Sequence, residues 1–322
     1  MGDPKMNLRA SRLRDWTLLL ACNLIWASQY VMVKIVQEQM GPVFATFLPV
    51  TLATVFLMVI VRRDRWPKQD RAQFFLMGVC GQIPAQLFVT WGVGLSLASN
   101  AALLALTLPI MTALMAYLLL GERMTPLRWA SFALAIVGAV ECAGINWKAL
   151  DFGSLRFMFG SFLIFLGIVG SSFYNVYSKK LLKRYSPLQV QLYSFYAVFI
   201  CMFPITLATE PQGFLNLPHF SLKIWLGLIE LAVFVYFLSM VLFLNVLTRL
   251  DATQAGLSNY LIPFFGLLLA AALLHERLTR FMILGGILVL GSTLMITVYE
   301  GRARGRSESA ASVRTQSPKE IS

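Results

Sequence analysis

The sequence predicts an all-α polytopic membrane protein: ten transmembrane helices arranged as two five-helix inverted repeats. Three observations carry that expectation. Apolar residues make up 58% of the 322 and charged residues 13%, where a soluble domain holds roughly 25% charged residues. The apolar residues fall into ten runs near the ~20 residues that a bilayer core requires. And one of these runs, with its flanks, is written twice.

In chain order the runs are Trp16–Val36, Val43–Val61, Phe74–Leu95, Ala98–Leu120, Leu127–Ile145, Met158–Ser178, Leu188–Leu207, Trp225–Leu247, Gln254–Leu274 and Phe281–Tyr299. Each can satisfy its own backbone hydrogen bonds as a helix, which hydrocarbon demands. The first run is expected to remain as a span: it is longer than a signal-peptide core and contains Asn23, Gln29 and Lys34. Residues 1–15 form an N-terminal tail, 16–146 a first unit, 157–299 a second, and 300–322 a polar tail with the composition of a disordered segment.

A net charge of +12 could suggest a nucleic-acid partner, but its distribution argues otherwise. Placing the N-terminus inside puts 21 of the 27 Lys and Arg residues on the inner side. That asymmetry is the positive-inside signature, and the charge answers anionic headgroups. No nucleic-acid partner is expected. Cys22, Cys80, Cys142 and Cys201 all lie within apolar runs without a CxxC pair, so they read as small apolar residues. His219 and His275 have no ligand-spaced neighbours, and neither a metal nor a cofactor is implied.

The repeat supplies the organisation. AALLALTLPIMTALMAYLLLGERMTPLRW, from residue 101, is answered by AGLSNYLIPFFGLLLAAALLHERLTRFMI, from residue 255. Pro109 pairs with Pro263, Glu122 with Glu276, Arg123 with Arg277 and Thr125 with Thr279, all 154 residues apart. Asn100 answers Gln254 just upstream. Earlier in the chain the offset is 145: Lys34 stands eight residues before Pro42, and Lys179 eight before Pro187. Spans 1–5 thus match spans 6–10, and an odd number per unit forces the two copies to enter the membrane from opposite sides.

Two five-span units, each closing with Pro, then GER or HER plus Thr, then a Gly-rich last span, resemble the EamA domains of the drug/metabolite transporter superfamily. The resemblance covers about residues 16–299. It implies a carrier of small solutes working by alternating access. It also implies a central cavity built by spans 1, 3 and 4 with 6, 8 and 9, while spans 5 and 10 stay peripheral. The small four-span relatives couple to protons through a Glu in their first span; this chain has no acid there.

Within the expected cavity the candidate solute contacts are Trp26, Tyr30, Lys34, Gln82, Gln86, Asn100, Asn175, Lys179, Glu230, Asn259 and Tyr260. Trp26, Tyr30 and Lys34 recur at helical spacing, and the aromatics offer a flat surface with a polar tip. Gln82 and Gln86 flank Pro84 on one helical face, beside an expected kink. Asn175 lies among Ser171, Ser172 and Ser178, and Asn259 and Tyr260 precede Pro263. Amides and hydroxyls both donate and accept, which suits a neutral or zwitterionic solute, although the same groups also bond helix to helix. Pro84, Pro109 and Pro263 are candidate hinges or cavity shapers, since each removes an amide donor. Lys34 and Lys179 either reach for headgroups or bind an anion at opposite ends of the path. Glu230 is read with Phe234 and Phe237 on one face, and as a partner for Lys34 across an outer gate. Glu122, Glu276, Arg123 and Arg277 are assigned to helix ends and loop ion pairs, Glu141 to structure, and the stretch from Glu210 to Lys223 is read as the longest outer loop.

The leading function is a secondary active transporter, an exporter or exchanger of a small organic metabolite, acting as a monomer or homodimer in a bacterial inner membrane with both termini cytoplasmic. A proton-coupled multidrug exporter is the alternative within the class. Outside it stand an intramembrane enzyme and a receptor or channel. No GxxxxGK[ST] marks a nucleotide-driven pump, and HERLT lacks the second His of a zinc protease.

Overall fold

The computed structural model describes residues 4–61, 67–95, 104–122, 124–142 and 155–262, with positions 265, 284, 287, 288, 291, 292 and 295. All regular structure among them is helical. Six helical stretches are long and apolar enough to cross a bilayer: Leu13–Val36, Pro42–Ile60, Lys68–Leu95, Leu155–Leu181, Pro187–Thr209 and Leu222–Leu247. They fall on the expected spans 1, 2, 3, 6, 7 and 8, and those numbers are kept below. Leu108–Leu120, Pro126–Cys142 and Ala252–Leu257 overlap the fourth, fifth and ninth runs. Asn100, Arg123, Pro263, Glu276, Arg277 and the side chain of Glu141 lie outside the described residues.

The lipid-facing surface is apolar where a soluble protein would be polar. Val59 and Leu118 are each 67% exposed and Leu226 59%. Exposed side chains of this kind are stable in hydrocarbon and an aggregation hazard in water. The chain is an integral membrane protein.

Local sequence explains several helix ends. Ser186 caps span 7 through the Gln189 amide, Gln189 returns a bond to Ser186, and Pro187 fills the first turn, where its missing amide costs nothing. Helix Leu108–Leu120 stops at Gly121, whose φ of 70° is open to glycine and strained for other residues. That turn sends the Glu122 amide back to the Ala116 carbonyl at 3.2 Å. Pro109 does not bend a continuous helix, as the sequence suggested. It stands in the first turn of Leu108–Leu120, after a break at Leu106 and Thr107.

Spans 3 and 8 share a deviation that the sequence did not announce. Gly78–Gln82 and Pro84–Phe88 are π-helical, as is the whole stretch Glu230–Ser239. In span 3 the missing amide of Pro84 releases a carbonyl and favours a change of register. In span 8 no proline or glycine marks the segment, and nothing in the local sequence explains it.

Packing places these two spans at the centre. Span 8 lies against spans 1 and 2, and span 3 against span 6. Spans 3 and 6 cross closely enough that a Cβ built on Gly92 would sit 2.6 Å from the Gly160 carbonyl oxygen. The segment after span 7 is not an open loop: it folds as Gln212–Asn216 and Leu217–His219. Phe214 meets Phe44 edge-on at 5.0 Å, and Glu210 accepts from the Val43 and Phe44 amides at 3.1 and 2.8 Å.

Candidate functional site

Five spans contribute to a chain of polar side chains that closes on itself. On span 1, Ser28 donates to Glu230 Oε1 of span 8 at 2.5 Å, and the neighbouring Gln29 donates to Gln86 Oε1 of span 3 at 3.4 Å. Gln86 reaches Gln82 at 3.5 Å, and Gln82 lies beside the Tyr174 hydroxyl of span 6. Tyr174 donates to Gln191 of span 7, whose amide donates to the Tyr236 carbonyl of span 8 at 3.2 Å. The Tyr236 hydroxyl stands beside Gln29 and Glu230 and completes the ring.

Three buried atoms in this ring have no hydrogen-bond partner among the described residues: Glu230 Oε2, the Tyr236 hydroxyl and Gln82 Nε2. An orphaned buried polar group costs about 1–3 kcal/mol. Three of them fall in this one ring. One is an acceptor that carries negative charge when ionised, and the other two are donors.

A second polar patch joins spans 1, 4, 6 and 9. Asn23 donates to Ser258 at 3.0 Å, and Thr112 to Ser172 at 3.3 Å. Asn259 is 4% exposed with neither amide atom partnered. Tyr260 packs edge-on against Phe132 at 6.0 Å, turned toward span 5.

At the Lys179 end the charges are tied together. Glu122 crosses to the start of Ala252–Leu257, accepting from the Ala252 and Thr253 amides at 3.0 and 3.1 Å and from the Thr253 hydroxyl at 2.7 Å. A carboxylate at a helix N-terminus satisfies free amides and meets the positive end of the dipole. Lys179 donates to the Leu250 carbonyl at 2.8 Å and lies 3.4 Å from Glu122 and 3.5 Å from Asp251, which Arg128 engages at 3.1 Å. This clasp joins spans 4, 5, 6 and 9.

Several expectations need correcting. Lys34 is exposed, and no ion pair joins it to Glu230, whose bonded partner is Ser28. Lys179 is held in the clasp, bonded to the Leu250 carbonyl and beside Glu122 and Asp251. Phe234 does not share a face with Glu230: it is 46% exposed to lipid, while Phe237 packs on Phe56 at 5.9 Å. Phe234 is exposed, and the Tyr236 hydroxyl of the same π-helical segment lies near Glu230. Trp26 is buried against Phe243 at 5.2 Å, and Tyr30 is half-buried against the cluster of Val93, Ile164 and Ile168. Asn175 is buried, its carbonyl receiving Ser178. Of the candidates, the structure brings together Gln82, Gln86 and Glu230. It adds Ser28, Gln29, Tyr174, Gln191 and Tyr236, each a polar side chain inside an apolar run.

A cavity of about 680 Å³ between the fourth and fifth spans is lined by Ile110, Ala113, Leu114, Tyr117, Met124, Trp129 and Phe132. It shares no residue with the ring, and its apolar wall offers a polar solute little to bind.

A helical bundle that crosses the membrane and encloses unpartnered polar groups has the anatomy of a carrier rather than of an enzyme. The chain belongs to the EamA-like transporter family, whose sequence profile matches residues 16–141 and again 158–298. It is 27% identical to a protein of Streptantibioticus cattleyicolor named a probable terminal-alkyne amino-acid exporter, over 92% of this chain and 96% of that one. It is 24% identical to a probable amino-acid metabolite efflux pump of Escherichia coli K12, over 90% and 97%. One crystal structure superposes with a TM-score of 0.72 at 18% identity, covering 89% of this chain and 98% of that one, and so shares the fold. The protein is a transporter.

Proposed function

We propose that the protein exports a small zwitterionic metabolite of the amino-acid type across a bacterial inner membrane, with both termini in the cytoplasm. Two inverted five-span repeats would expose the central ring to each side in turn. The observation that carries this reading is the trio of orphaned atoms. An amino acid presents an ammonium donor for Glu230 Oε2 and a carboxylate acceptor for Tyr236 and Gln82, so both ends of one solute satisfy the ring. The positions of the lysines support it, because neither stands in the ring to favour a plain anion. The twofold family match supports the duplication, and the names of the two relatives point to the same solute class.

The second reading, export of an organic cation, draws on the same Glu230, which has no ion pair with a positive side chain among the described residues, and on the aromatic rings nearby. Flux separates the two. Full-length protein in liposomes is expected to move radiolabelled L-leucine, with neither 3-methylbutylamine nor 4-methylpentanoate competing well, since each lacks one of the two charges. Movement of ethidium without leucine would replace the first reading by the second.

A further inference from the structure

We infer that the second polar patch, Asn23 with Asn259, is a side-chain subsite for an uncharged primary carboxamide, so that the favoured solute is a glutamine-like amino acid. The inference rests on the zwitterion reading and names the solute's far end. Asn259 is 4% exposed, and both its side-chain polar atoms are unpartnered among the described residues. Asn23 is fully buried; its Nδ2 donates to the Leu19 carbonyl at 2.7 Å and to Ser258, while Oδ1 has no partner.

The internal repeat supplies a control for a purely structural role. Ser258–Tyr260 is a 3-10 turn in which the Leu261 amide bonds back to the Ser258 carbonyl. At the matching place 154 residues earlier, the Thr107 amide bonds back to the Leu104 carbonyl at 2.9 Å. Both copies therefore turn alike just before their proline. The first copy does so with Leu104, Ala105 and Leu106, where the second has Ser258, Asn259 and Tyr260. The turn needs no polar side chain, and a buried unpartnered amide is a cost. Ser258 is used by Asn23 and the Tyr260 ring by Phe132, whereas neither polar atom of Asn259 is used.

The free atoms define the ligand. Asn259 offers a donor and an acceptor side by side, and Asn23 Oδ1 adds a second acceptor. A primary carboxamide carries the complement: its carbonyl accepts from Asn259 Nδ2 and its NH₂ donates to the two Oδ1 atoms. A carboxylate there meets one donor and two acceptors that repel it. The cations of the Lys179 end do not offset this, because Lys179 and Arg128 are held by Glu122 and Asp251. Distance sets the length of the solute. Asn23 precedes Ser28 of the ring by five residues, about 7.5 Å along the helix. An extended glutamine side chain carries its amide about 5 Å from the α-carbon. A hydrogen bond adds about 2.9 Å at each end, so one molecule reaches both the ring and the patch.

The test is competition against radiolabelled L-leucine counterflow in liposomes holding the full-length protein. In the wild type, L-glutamine is expected to halve counterflow at about one tenth of the concentration that L-leucine needs. L-Glutamate, of the same shape but charged, should compete less well than either. Asn259→Leu is expected to reverse the order, with leucine competing at the lower concentration. Misfolding lowers both together and cannot produce a reversal; should the variant not fold, the wild-type order decides alone. Radiolabelled glutamine that moves where leucine does not also supports the subsite. Glutamine no better than leucine, glutamate equal to glutamine, or an order unchanged by Asn259→Leu overturns the subsite and leaves the zwitterion reading standing. If no amino acid moves, both fall.

Discussion

Lys34 and Lys179 occupy the same place in the two copies of the sequence repeat, yet the structure treats them oppositely. Lys179 is clasped by Glu122, Asp251 and the Leu250 carbonyl, whereas Lys34 is exposed. The contrast extends to the rest of each end. Around Lys179, charge does the joining: Arg128 with Asp251, Arg184 with Asp70 at 3.1 Å, and Arg249 with Asp15 at 2.6 Å. Around Lys34, one exposed ion pair, Lys223 with Glu38 at 2.7 Å, stands beside contacts without charge: spans 3 and 6 meet through Gly92 and Gly160, Gln37 donates to the Thr90 carbonyl at 2.9 Å, and the phenylalanines gather under the segment after span 7. On the proposed alternating-access reading, two unlike ends would correspond to a carrier closed on one side. Ionic contacts suit a joint that opens, because water can replace each partner as it lets go.

The largest way to break the contrast is Glu122→Ala. It removes the acceptor for two backbone amides and the Thr253 hydroxyl and deprives Lys179 of a counter-charge, a loss of about 1.5–3 kcal/mol. The matching change at the other end, Lys34→Ala, removes an exposed side chain and is expected to stay within about 0.5 kcal/mol. Thermal unfolding of both variants in detergent measures the difference. Cysteine accessibility adds the functional half: a Cys placed at position 253 is expected to label faster in Glu122→Ala from the side that the Lys179 end faces. Equal melting shifts would mean that the clasp is ornamental.

Gly92→Ala tests the other end by the opposite physics. Its Cβ would meet the Gly160 backbone oxygen and the Ile164 side chain, each at 2.6 Å, so the two helices must separate. Overpacking of this kind costs about 1–3 kcal/mol. The expected signature is a lower melting temperature with the labelling at position 253 unchanged. Faster labelling there would show that the two ends are mechanically one.

How much of this was legible follows from which signals are local. Apolar run length and positive-inside charge depend on sequence alone, and they gave the membrane class. The pairs Gln82–Gln86 and the isolated Glu230 were visible because polar groups in hydrocarbon are costly wherever they stand. The partners were not. Ser28 and Gln191 look like ordinary inter-helix glue until five spans are brought together. Tyr236 was hidden because its place near Glu230 depends on how span 8 packs against spans 1 and 2, which spacing along one helix does not reveal. The unequal fates of the two lysines could not be read at all, since they depend on which partners the fold brings to each end.

A smaller effect sharpens the comparison by pH. Tyr185, in the turn after span 6, donates to Asp70 at 2.6 Å. The carboxylate that accepts this bond raises the tyrosine hydroxyl above its ordinary value of 10.0, the nearby Arg184 opposing in part. A hydroxyl whose folded value is raised contributes stability that is complete below the unfolded value and is lost as pH climbs through the folded one. The bond is therefore intact at neutral pH and fails only in the alkaline range. At the Lys34 end Glu210 accepts from backbone amides, which do not titrate there. Tyr185→Phe should lower the neutral melting temperature slightly, and its deficit against the wild type should close as pH rises past about 10. A deficit that stays constant through that range would place the role of Tyr185 in ring packing, where it meets Phe74 edge-on at 5.1 Å, and not in the bond to Asp70.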